Sequence, residues 1–199
     1  VRIKGLEALG QNDTAEAVPV VRQAINDADP DVKYAATLSL LELVGELWLQ
    51  ELSGIIGRTN GVTRQQVLRG FFHATNYLKI DVAKSKAADL MIDALETALL
   101  DDLEDVRMAV TWPLAWMRHE RTPGVLRRAY LIEQSDNVKA HIVRVAASLM
   151  SEAGEEILQD ALKRTGRVRQ TAEQIMQDRG GRGAPKFDES ASGGVALSQ

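Results

Sequence analysis

The chain has 199 residues, enough for one compact domain or a short array of repeats, and its 45% apolar content supports a core without metals or disulfides. It has no cysteine, which excludes disulfides, zinc ribbons, iron–sulfur clusters and thiol nucleophiles and fits a reducing, cytoplasmic setting. A net charge of -4 and an aromatic content of 5% count against a generic nucleic-acid binder, which needs clustered positive charge and stacking platforms. No apolar run reaches the length of a membrane span, and no signal-peptide pattern opens the chain.

The sequence begins at Val1 inside a helical pattern, so further repeats are expected upstream. From 17 to 45, AVPVVRQAINDADPDVKYAATLSLLELVG reads as an apolar helix containing Pro19, an aspartate-rich turn, and a second helix opening Asp-Val-Lys. Such pairs recur. Their first helices are predicted over 15–26, 46–57, 82–99, 123–133 and 155–164, with an insertion lengthening the unit around 80–100. Pro123 sits near a helix start, where its missing N–H costs nothing. Pro113, in mid-pattern, is expected to kink or split its helix. No segment alternates with period two over a strand's length, so the expected fold is all-α. After Asp178, RGGRGAPKFDESASGGVALSQ has no helical stripe, and 179–199 reads as a Gly/Ser-rich tail, flexible or bound to a partner.

The second helices align on Val1, Val32, Val67, Val106, Val138 and Val168, spaced by roughly 30–40 residues. Four places on stand Gly5, Ala36, Phe71, Val110, Ile142 and Ala172; eight places on stand Leu9, Leu40, Thr75, Leu114, Ala146 and Met176. These offsets put one stripe of each helix in the core, with small residues at the fourth place allowing close approach. Directly after the valine come Arg2, Lys33, Arg107, Lys139 and Arg169. Directly before it come Asp31, Asp105 and Asn137, read as helix N-caps. Stacking is expected to bring these acids and bases into a ladder between neighbouring units.

This order of elements resembles the HEAT repeat, in its PBS-lyase HEAT-like form. The resemblance covers residues 1–178; it is clear in four units, faint in the Val67 unit and truncated at Val1. It implies a right-handed α-solenoid of stacked HEAT-like helical hairpins, whose second helices line a concave face.

Motifs that carry chemistry are scarce. Asp27, Asp29 and Asp31 alternate like a calcium loop, but Val32 stands where its glycine belongs and Leu38 where its glutamate belongs, so an inter-helix turn is the simpler reading. Asp101, Asp102, Glu104 and Asp105 read likewise, as a solvated acidic turn. His73, His119 and His141 fall in different units, and the single His119–Glu120 pair cannot build a di-iron site, so no metal or cofactor is expected. No Walker loop, dinucleotide fingerprint or nucleophile elbow is present.

The residues off the buried stripe define the expected partner surface: Lys33, Arg69, Arg107, Lys139, Arg144 and Arg169, with Trp112 and Trp116 either packed in the core or exposed as anchors. The leading functional reading is a non-catalytic scaffold or assembly subunit that binds proteins along the concave face and through the tail. The resemblance also implies two alternatives: a subunit of an enzyme attaching or detaching bilin chromophores, and a nucleic-acid-binding HEAT-like protein.

Overall fold

The computed structural model describes residues 1–11, 15–77 and 81–180; the tail from 181 to 199 lies outside the described residues. Every regular element among them is helical: α1 Arg2–Gln11, α2 Ala17–Ala24, α3 Pro30–Val44, α4 Glu46–Arg58, α5 Gly61–Tyr77, α6 Ala88–Ala98, α7 Glu104–Met117, α8 Thr122–Ile132, α9 Asp136–Ser148, α10 Glu152–Leu162 and α11 Gly166–Gly180. A 3₁₀ turn, Val82–Lys84, precedes α6. None of the described helices is long and apolar enough to cross a membrane.

The helices pack in two rows. Odd-numbered helices touch in chain order, α1 on α3 through to α9 on α11. Even-numbered helices back them, each against the odd helix that follows it.

The buried stripe holds in the four interior units. Ala36, Leu40, Phe71, Thr75, Val110, Leu114, Ile142 and Ala146 are all buried, including those of the Val67 unit. It fails at the two ends, where a helix has a neighbour on one side only: Gly5 is exposed and Met176 is 41% exposed. In α1 the residues that face α3 are Leu6, whose carbonyl accepts the Ser39 hydroxyl, and Gly10. Close approach also falls one place off the expected position in α5. A Cβ on Gly70 would lie 2.6 Å from Thr37 Cβ, so α5 and α3 meet nearly backbone to backbone.

Three local readings are corrected. The N-caps lie two residues upstream of Asp31 and Asn137: Asp29 accepts from the Asp31 amide and Ser135 from the Val138 amide. At α7 the N-cap is Leu103, which has no side chain to bond, and Asp105 is inside the helix. The expected helix over 82–99 is interrupted because Ser85 is extended (ψ 155°) and turns its hydroxyl back onto the Val82 carbonyl. Pro113 is buried inside α7, which is not split there.

A carboxylate five places before the register valine recurs with one geometry. Asp27, Asp101 and Glu133 each accept the backbone N–H two residues on, from Asp29, Leu103 and Ser135. Each also takes a guanidinium from the preceding odd helix: Arg2 to Asp27 at 2.6 Å, Arg64 to Asp101 at 2.8 Å, and Arg107 to Glu133 at 2.7 and 3.0 Å. One carboxylate thus caps the turn of its own unit and holds the unit before it. This is the ladder, with its acid rung four residues upstream of the expected one. Asp101, read from sequence as solvated, has a side chain only 2% exposed.

Candidate functional site

The outward stripe of the odd helices carries a row of rings. Helical spacing of three and four residues puts Arg69, Phe72 and His73 on one side of α5, Met108, Trp112 and Trp116 on one side of α7, and Asn137, His141 and Arg144 on one side of α9. Packing then sets these stripes edge to edge. Tyr34 on α3 meets His73 at 5.7 Å, and His73 meets Phe72 at 6.0 Å. Phe72 meets Trp116 at 6.4 Å, and Trp112 meets His141 at 5.3 Å. All four contacts are edge-to-face, the arrangement ring quadrupoles favour, worth about 0.5–1.5 kcal/mol each beyond burial. The Arg69 guanidinium lies 5.6 Å from the centre of the Tyr34 ring. Trp116 is 45% exposed, whereas Trp112 packs partly buried against the core.

Electrostatics along the row are set by arginines that make no ion pair among the described residues. Arg69 bonds only the Gln66 amide oxygen, at 3.3 Å, besides lying over Tyr34. Arg167 bonds the Asn137 amide oxygen at 2.6 Å, and Arg144 makes no hydrogen bond or ion pair among the described residues. The histidines stay neutral beside them. Burial and then Arg69 hold the His73 imidazole below its ordinary value, and burial and then Arg144 push His141 down to about 4. Burial raises the Tyr34 phenol, against the opposing pull of Arg69. Between α7, α9 and α11 the row ends in a pocket of about 200 Å³ lined by Met108, Ala140, His141, Arg144, Arg167 and Thr171, with Asn137 at its rim.

The eight residues singled out from sequence divide. Arg69, Trp112, Trp116 and Arg144 come together on this face. Arg107 is committed to Glu133 and to the Asp101 and Asp102 carbonyls. Lys139 lies 5.7 Å from the centre of the Tyr130 ring on α8, so it does not stand beside Arg107. Lys33 is 9% exposed, and Arg169 pairs with Glu173 one turn along α11. Tyr34, Phe72, His73, His141 and Arg167 were missed. Helical spacing could have linked His141 to Arg144 on α9 and His73 to Arg69 on α5, but the join between helices is set by packing alone.

The carboxylates that might have suggested metal binding are used otherwise. Asp27 takes Arg2 and the Asp29 amide, and among the described residues no group of three or more histidines and carboxylates converges as a metal site would. No protein-family model matches this chain, and no curated protein matches it significantly.

Proposed function

We propose that this chain is a HEAT-like right-handed α-solenoid. Its second helices line a concave face, and it works as a non-catalytic scaffold or assembly subunit that holds a protein partner there. The observation that carries the reading is the aromatic row from Tyr34 to His141, bordered by arginines without carboxylate partners. Tryptophan, tyrosine and arginine dominate binding energy at protein interfaces because they combine large apolar area with a polar handle. A surface already built into packed helices costs little ordering on binding. The unmatched guanidinium groups favour a partner segment carrying both apolar and acidic side chains.

The test is capture from native extract with three forms of the intact chain: unaltered, Trp112→Ala with Trp116→Ala, and Leu47→Ser. Leu47 is exposed on α4 in the even row. A protein retained by the unaltered chain and by Leu47→Ser, but lost from the tryptophan variant, is the expected result. Equal retention by all three forms would remove this face from consideration.

A further inference from the structure

The pocket at the end of the aromatic row is equipped for a negative charge. Among the described residues Arg144, which lines it, has no hydrogen-bond or ion-pair partner, and the hydroxyl of Thr171, a buried residue of the lining, makes no hydrogen bond. Arg167 is held only by a neutral group, the Asn137 amide oxygen. Asn137 in turn gives its amide N–H to the Glu104 carboxylate at 3.0 Å, and so stands between that carboxylate and the arginine. His141 is engaged elsewhere. The Thr111 hydroxyl donates to the Met108 carbonyl, which leaves its oxygen to accept Nδ1–H of His141 at 3.1 Å. The charge lining the pocket is therefore that of two guanidinium groups, whose planar forks suit an oxyanion. Trp112 does not line the pocket but packs edge-on to His141, which does.

We propose that this pocket seats an oxyanion, a carboxylate or phosphoryl group, carried on the peptide chain of the partner, with the neighbouring apolar residue of that chain against Trp112. The proposal rests on the reading of this face as a partner surface. At about 200 Å³ the pocket has room for one such group.

The test uses the whole chain and two small probes, inorganic phosphate and acetate, at matched ionic strength. Nitrogen-detected NMR of the arginine Nε–H groups should show saturable shifts at Arg144 and Arg167 with at least one probe. In Arg144→Gln, a change at an exposed position whose helix content circular dichroism should find unaltered, the midpoint of the Arg167 shift should rise tenfold or more. Saturation by phosphate at tenfold lower concentration than acetate assigns a phosphoryl group; equal or reversed order assigns a carboxylate. Absence of saturation with both probes overturns the pocket, as do shifts at Arg167 of unchanged midpoint in Arg144→Gln. The titration contains no partner, so its failure is distinct from failure of the tryptophan capture. A captured protein retained equally by Arg144→Gln with Arg167→Gln would overturn the pocket's role in the partner complex while leaving the face itself standing.

Discussion

On the even-numbered row, Arg22 of α2 reaches Glu51 of α4, Arg121 at the N-cap of α8 reaches Asp93 of α6, Arg128 of α8 reaches Glu96 of α6, and Arg127 of α8 reaches Glu156 of α10. On the outward face of the odd-numbered row, Arg69, Arg144 and Arg167 meet a ring, an amide or nothing among the described residues. Exposed ion pairs contribute at most about 1 kcal/mol each, so the even row is not paired for stability. That pairing engages Arg22, Arg121, Arg127 and Arg128 locally, and among the described residues Arg58 of α4 is the even-row arginine left without an ion pair. The odd row leaves charge unspent beside partly exposed rings. Residue type is the same in both rows. What differs is whether stacking brings a carboxylate within reach.

The sharpest way to break this comparison is through the arginines that are paired inside the odd row. Arg64 and Asp101 are 8% and 2% exposed, unlike the even-row pairs. Arg64→Ala leaves the Asp101 charge buried without its cation and should cost about 3–5 kcal/mol. Arg127→Ala, in an even-row pair whose members are more than half exposed, should cost less than about 1 kcal/mol. Urea midpoints of the two variants check both values, and equal losses would show that the rows do not differ in this way.

A smaller effect is expected from Ala36, buried at the α3 stripe. Ala36→Leu should overpack the helix contact and destabilise by about 1–3 kcal/mol, and Ala172→Leu in α11 should act in the same direction. Unchanged midpoints in both would mean that the helices are in a different register.

The smallest effect is in pH. Burial pushes the Glu133 carboxyl up, but bonds from Arg107 and from the Ser135 and Gln134 amides outweigh it, and its value lies below that of an ordinary glutamate. The unfolded chain therefore takes up this proton first as pH falls. The contribution to stability is complete above the ordinary glutamate value, about 4.3, and is lost as pH falls through the lower folded value. Melting temperature measured from pH 7 to pH 3 should fall less steeply in Glu133→Gln than in the unaltered chain. Parallel slopes would contradict the clamp.

The helical pairs and their interior stripe were legible because burial repeats at helical offsets from each valine. The ends were not, since Gly5 and Met176 carry the same offsets and differ only in lacking a neighbour. The clamp was half legible. Asp27, Asp101 and Glu133 stand at one sequence position, yet composition alone makes an acidic turn look solvated; only the reach of Arg2, Arg64 and Arg107 from another helix shows otherwise. For the site, Trp112 and Trp116 could be picked out by their spacing. Tyr34 and Phe72 could not, because each is a lone aromatic on the outward side of its helix until α3, α5 and α7 are set side by side.

The clamp also has gaps. Five places before Val67 stands Val62, already inside α5, and five before Val168 stands Lys163, so neither unit has a carboxylate at the clamp position. At α11, bonds from Arg179 to the Ala147 carbonyl and to Glu155 tie the far end instead. Between α3 and α5 the substitute is the close contact at Gly70, beside the Tyr34–His73 and Arg69–Tyr34 ring contacts. Of the three clamps, Arg107–Glu133 is the one that matches two guanidinium nitrogens to two carboxylate oxygens. The α3–α5 seam is thus held by fit where its neighbours are held by charge: any side chain at position 70 would have to displace Thr37 and push the two helices apart.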